Sequence, residues 1–99
     1  MNTAATVSPA IRLDAADNVV VARVKISAGT PIESEAVVTA QDVPLGHKIA
    51  TRAIAKGEPV LKYNTVIGYA GEDIAPGTWL HSHNVLFDDV IKDYDKMKK

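Results

Sequence analysis

The chain has 99 residues, of which 46% are hydrophobic and 23% charged, and this balance is typical of one small globular domain. Its 11 basic and 12 acidic residues are mixed along the chain, so no basic stripe indicates nucleic-acid binding. Cysteine is absent, which excludes disulfides, thiolate metal sites and a cysteine nucleophile. No apolar stretch approaches the ~20 residues that span a membrane, and no secretory signal pattern is visible, so we expect a cytoplasmic location.

The chain begins with small and polar residues, and we expect residues 1–10 to be a flexible N-terminus. Ile11–Leu13 is predicted to form a short strand. Val19–Ile26 is predicted to form a second strand, and its apolar residues at both parities are typical of a strand covered on both faces. Ala36–Thr39 and Tyr63–Tyr69 are further β-prone segments.

A seven-residue pattern recurs four times, with a β-branched residue first, glycine in fourth place and an aliphatic residue last. Its glycines are Gly29, Gly46, Gly57 and Gly77. Each copy predicts a short strand, a tight turn that needs a positive φ at glycine, and another short strand. We expect these glycines to be exposed. The residues expected to point inward are Ile26, Ile49, Ile54, Val60, Ile67 and Ile74.

Many short strands joined by glycine and proline turns predict a mostly β fold, either a small barrel or a folded set of hairpins. Helix is expected at two places only. Glu33–Ala36 could form a single turn, and apolar residues at helical spacing from Phe87 onward predict a short C-terminal helix. The predicted organisation is therefore a flexible start, a β domain over residues 11–86, and a tail over residues 87–99.

The histidines are His47, His81 and His83. On a strand, His81 and His83 would share one face with Cα atoms ~6–7 Å apart, and two neutral imidazoles can bind one divalent metal ion. The same spacing also fits two exposed polar residues without a ligand. Asn84, with one acceptor and one donor group, could orient a ligand or a bound water.

Two further candidates follow Gly46 in the second turn copy, where side chains reach solvent from a rigid base. They are His47 and Lys48. Lys48 could hold a carboxylate as a point charge, or it could be an ordinary solvated lysine. Trp79 is expected to pack at the edge of the core.

Five blocks of the sequence, taken together, resemble a known family. They are Asp17–Ala22, Gly46–Lys48, Glu58–Tyr63, Ile67–Ala70 and His81–Asn84. In this order and spacing they are similar to the N-terminal domain of altronate and galactarate dehydratases. The repeated glycine turn resembles the SAF domain, which has a β-clip fold of short, strongly bent hairpins.

The resemblance implies a hydro-lyase subunit that is inactive without a large catalytic subunit, acting on a sugar acid such as altronate or galactarate. It implies a divalent metal, Fe²⁺ in the first place and Mn²⁺ as the alternative. His81 and His83 would be metal ligands, and Lys48 and Asn84 would bind substrate. His47 and Lys48 would be the catalytic acid or base.

Two alternatives stay open from the sequence. The chain also resembles the small subunit of sulfolactate sulfo-lyase, which eliminates sulfite where the dehydratases eliminate water. It could instead be a non-catalytic module that binds a sugar acid or a protein. The paired histidines favour an enzyme subunit, because a bare binding module would not need them.

Overall fold

The computed structural model describes residues 7–87, which form a mostly β domain as predicted. Nine short strands lie within these residues: β1 (Ala10–Ile11), β2 (Val19–Ala22), β3 (Pro31–Ile32), β4 (Val37–Val38), β5 (Lys48–Ala50), β6 (Pro59–Lys62), β7 (Thr65–Ala70), β8 (Trp79–Leu80) and β9 (Val85–Phe87). All of their pairings are antiparallel. They make a four-stranded sheet in the order β1-β2-β5-β8, a β3-β4 hairpin and a three-stranded sheet in the order β6-β7-β9.

Several element bounds differ from those predicted. The first strand begins at Ala10, which is 6% exposed, so the predicted boundary between residues 10 and 11 lies inside β1. The predicted strand Val19–Ile26 ends at Ala22, and Ile26 forms only an isolated bridge with Val43. The single turn predicted near residue 33 is confirmed as a 3-10 helix, Glu33–Glu35. The predicted C-terminal helix lies outside the described residues, apart from its first residue, which ends β9.

The four-stranded sheet is covered on both faces, as predicted for its second strand. Side chains alternate along β2, so Val20 faces one cluster of buried residues and Val19 faces another. The first cluster comprises Ala10, Val20, Ala22, Ile26, Ile32, Val37, Val43 and Ile49. The second comprises Val19, Ala50, Ile54, Val60, Ala70, Ile74, Leu80 and Val85. The residues predicted to point inward are confirmed as buried, except that Ile67 is half-buried against the second cluster.

The four glycine turns form two equivalent pairs. In the first pair Ala28 N donates to Asp42 Oδ1 at 2.8 Å, and in the second pair Lys56 N donates to Asp73 Oδ1 at 2.9 Å. The same equivalence holds for three further pairs of hydrogen bonds: Gly29 N to Thr39 O and Gly57 N to Ala70 O, Gly46 N to Ala22 O and Gly77 N to Ala50 O, and Ala22 N to His47 O and Ala50 N to Thr78 O. The domain is therefore a doubled unit in which one pair of turns is repeated.

The turn glycines have positive φ, as predicted: 81° at Gly29, 85° at Gly46, 88° at Gly57 and 87° at Gly77. The expectation that all four are exposed is wrong for Gly77, which is buried. A Cβ atom built there would lie 2.0 Å from the carbonyl oxygen of Val38, so the backbones of the two halves meet at this point.

Buried Asn18, just before β2, connects the four-stranded sheet to β6 of the three-stranded sheet. Its Oδ1 accepts a hydrogen bond from Leu61 N at 2.8 Å, and its Nδ2 donates to Pro59 O at 2.9 Å. These two groups flank the register shift in β6, where the strand pairing is irregular. The side chain thus provides hydrogen-bond partners for backbone groups that the irregular strand pairing leaves without one.

Replacing Asn18 by alanine should lower the free energy of unfolding by about 2 kcal/mol or more, because two backbone groups lose their partners and a small void is left. Urea titration of the full chain measures this loss. Asn64→Gly is the matched control, since Asn64 is exposed with a φ of 56°, a conformation glycine adopts without strain, and its stability should stay within about 0.5 kcal/mol. Equal losses in the two variants would contradict the role of Asn18.

Candidate functional site

The structure gathers the three histidines around one tryptophan. The ring centroids of His47 and His81 are 4.7 Å apart, and those of Trp79 and His83 are 5.0 Å apart. Trp79 also lies 5.8 Å from His47, and it stacks at 5.9 Å and 11° on His81. We call these four residues the imidazole–indole cluster.

Trp79 is the fixed centre of this cluster. It lies in β8 opposite Ile49 of β5 and is half-buried against the first core cluster, which confirms its predicted place at the core edge. Its backbone is held on both sides: its N–H donates to Gln41 Oε1 at 3.0 Å, and its carbonyl accepts from Asn84 Nδ2 at 3.0 Å. The indole is therefore held rigidly over the sheet end.

His47 reaches the cluster from the second glycine turn. Its N–H donates to Pro44 O at 3.1 Å and its carbonyl accepts from Ala22 N at 2.8 Å, so the turn and β2 both fix its backbone. Its ring is half-buried, and Trp79 Nε1 donates a hydrogen bond to its Nδ1 at 3.0 Å. This contact joins residues 32 positions apart and could not be read from spacing.

The predicted strand placement of His81 and His83 is wrong. Strand β8 ends at Leu80, and residues 81–84 form a turn in which His81 O accepts hydrogen bonds from Asn84 N and Val85 N, each at 3.0 Å. The two imidazoles therefore do not share one face of a strand. Both are exposed, and each contacts the tryptophan instead.

Asn84 explains why the strand stops. Its Oδ1 accepts from His81 N at 3.0 Å while its Nδ2 donates to Trp79 O, and the residue is only 3% exposed. Short amide side chains compete with strand pairing by binding nearby backbone groups in this way. The substrate contact predicted for Asn84 has no support here, since both ends of its side chain hold the turn that presents His81 and His83.

Lys48, predicted beside His47, is directed elsewhere. It pairs in register with Val21 and Leu80, and alternation along β5 places it on the sheet face opposite to Ile49 and Trp79. Burial lowers the pKa of Lys48, and the positive charge of Lys62 lowers it further. Its amine therefore loses a proton more readily than an ordinary lysine, on the sheet face opposite to Trp79.

The described residues can contribute to a metal site but do not complete one by themselves. Within residues 7–87, no group of three or more His, Cys, Asp or Glu side chains is placed to hold a metal ion. His81 and His83 are exposed and can offer neutral nitrogen ligands to an ion bound mainly by other groups. These two nitrogen ligands fit an ion that takes its remaining ligands from outside residues 7–87.

No helix in the described part of the chain has both the length and the apolar character needed to cross a membrane.

A mostly β domain of short hairpins, built as a doubled unit with glycine turns, is SAF-like. The chain belongs to the altronate/galactarate dehydratase SAF domain family, whose sequence model matches residues 8–88. It is 46% identical over 76 residues to altronate dehydratase of Escherichia coli K12, and 34% identical over 76 residues to altronate dehydratase of Bacillus subtilis 168. Each match covers 75% of this chain and 15% of the relative.

A third relative is itself a subunit. The chain is 42% identical over 43 residues to (2R)-sulfolactate sulfo-lyase subunit alpha of Paracoccus pantotrophus. That match covers 43% of this chain and 64% of the relative. The relatives thus include long dehydratases, of which this chain matches a short part, and a separate lyase subunit.

Proposed function

We propose that this chain is the small subunit of a metal-dependent sugar-acid dehydratase and that it supplies histidines to a site shared with a large subunit. The observation that carries the proposal is the imidazole–indole cluster, which holds two exposed imidazoles beside a fixed indole and lacks a complete set of metal ligands within residues 7–87. This chain matches only 15% of altronate dehydratase, which supports the proposal that most of the catalytic site lies on a partner.

The cluster cannot perform the elimination alone. Removing a proton beside a carboxylate and expelling hydroxide from the next carbon requires a closed site that excludes water and stabilises developing negative charge. His81 and His83 are open to solvent on the turn, so a docked partner would have to cover them. A divalent ion bound there, Fe²⁺ or Mn²⁺, would supply Lewis-acid stabilisation.

The proposal assigns separate roles to the residues of this chain. His81 and His83 are metal ligands, Asn84 holds their turn, and His47 contacts the substrate. Lys48 lies across the sheet, so the substrate and catalytic roles predicted for it from sequence are not part of the site proposed here.

A second candidate function is the elimination of sulfite from a sulfolactate-like acid. The similarity to a separate sulfo-lyase alpha subunit favours it, because that relative is divided as we propose for this enzyme. Both reactions form a carbon–carbon double bond beside a carboxylate and differ in the leaving group, so the same cluster could serve either.

Reconstitution with a large dehydratase subunit from the same genome tests the proposal. We expect no turnover by this chain alone with Fe²⁺ or Mn²⁺, and turnover only when both chains are combined. Parallel assays would follow altronate, galactarate and sulfolactate, measuring the 2-oxo acid product and, for the last, released sulfite.

Each outcome of the reconstitution decides between functions. Dehydration of a sugar acid by the complex supports the dehydratase, and sulfite release supports the second candidate. Turnover by the isolated chain would contradict a shared site. Binding of a sugar acid without turnover in any combination would identify a non-catalytic binding module.

A further inference from the structure

One hydrogen bond distinguishes His47 from the other two histidines. Trp79 Nε1 lies 3.0 Å from His47 Nδ1. An indole N–H can only donate, so Nδ1 must accept through its lone pair. A neutral imidazole carries a single ring proton, and that proton is then on Nε2.

This geometry is built into the fold. The backbones of Trp79 and His47 are each held by two hydrogen bonds, and β8 is in register with β5 beside them. Both rings are half-buried, which limits competition from water for the shared hydrogen bond. His83, by contrast, is exposed, and the plane of its ring is tilted by 52° from that of the indole.

We infer that Trp79 is a positioning residue that fixes His47 as an Nε2–H hydrogen-bond donor toward an anionic substrate oxygen. A base or a metal ligand needs a free lone pair, whereas the lone pair of neutral His47 is taken by Trp79. A neutral imidazole used as a donor can polarise a substrate oxygen without transferring its proton. The role toward substrate rests on the proposed function, and the tautomer does not.

The tautomer can be measured on the full 99-residue chain without a partner. In ¹⁵N-labelled protein at about pH 8, where an ordinary imidazole is neutral, long-range ¹H–¹⁵N correlation should show His47 protonated on Nε2. A coupling across the hydrogen bond from Trp79 Nε1 to His47 Nδ1 should be present. Absence of that coupling together with a proton on Nδ1 would overturn the inference.

Trp79→Phe keeps an aromatic ring in the cluster but removes the indole N–H. We expect the tautomer of His47 to become mixed, while that of His83 serves as the internal control and does not change. The amide spectrum reports whether the variant is folded. A folded variant in which His47 remains entirely Nε2-protonated would overturn the positioning role.

Variants of His47 in the reconstituted enzyme test the role toward substrate. His47→Gln retains an N–H donor but offers no base, so turnover should stay within about tenfold of wild type, whereas His47→Leu should lose about 100-fold, as expected for one lost donor. Equal losses would overturn the donor role and leave the tautomer result standing. A wild-type complex without turnover would overturn the substrate role together with the proposed function, again separately from the tautomer.

Discussion

Replacing Gly77 by alanine should lower the free energy of unfolding by at least about 2 kcal/mol, a large part of the stability of a small domain. Two costs combine at this position. A φ of 87° is unfavourable for any residue with a Cβ atom, by about 1 kcal/mol or more, and the added Cβ would lie 2.0 Å from Val38 O. Moving that oxygen would require the two halves to separate, which adds about 1–3 kcal/mol of overpacking.

Gly57→Ala is the matched control for this experiment. Gly57 has nearly the same φ, 88°, but nothing lies within 4 Å of an added Cβ atom. Only the conformational cost of about 1–2 kcal/mol should therefore appear. Urea unfolding followed by the fluorescence of Trp79 measures both variants. Equal destabilisation would show that the contact with Val38 contributes nothing.

The contrast between these two glycines shows how far the sequence alone could reach. The repeated pattern predicted a positive φ at both, because the turn imposes that requirement locally. It could not predict that Gly77 is buried, since Val38 comes from the other half of the doubled unit, 39 residues earlier. Local conformation was readable at these turns, and contact between distant strands was not.

In the candidate site, too, local features could be predicted from the sequence and long-range contacts could not. His81 and His83 were singled out from the sequence as candidate ligands, and their placement on a strand assumed that β8 continues past Leu80. The side chain of Asn84 ends the strand, and an asparagine three residues after His81 was a local signal for such a turn. The contact of Trp79 with His47 joins β8 to a glycine turn 32 residues earlier in the chain, so neither spacing nor composition could predict it.

Lys48 illustrates a different limit. It was expected in the same site as its neighbour His47, which belongs to the imidazole–indole cluster. Consecutive residues at the start of a strand point to opposite faces, so adjacency in sequence argued against a shared site. Strand alternation alone could have separated them.

Replacing His81 or His83 by alanine should reduce turnover of the reconstituted enzyme by at least about 100-fold, with no change in the fold of this chain. Both side chains are exposed on a turn whose hydrogen bonds come from Asn84 and the backbone, so their removal costs no core packing. As ligands of a shared ion, each should also weaken binding of Fe²⁺ or Mn²⁺ to the complex.

Metal titration of the complex tests whether His81 and His83 are metal ligands or only exposed polar residues. His47→Gln is the matched control, because His47 belongs to the same cluster but its Nδ1 is occupied by Trp79, and metal affinity should therefore not change. Isothermal titration with Mn²⁺ gives the affinities, and turnover is measured on the same samples. If His81→Ala and His83→Ala both kept wild-type metal affinity and turnover, the two residues would be exposed polar side chains without a part in the site.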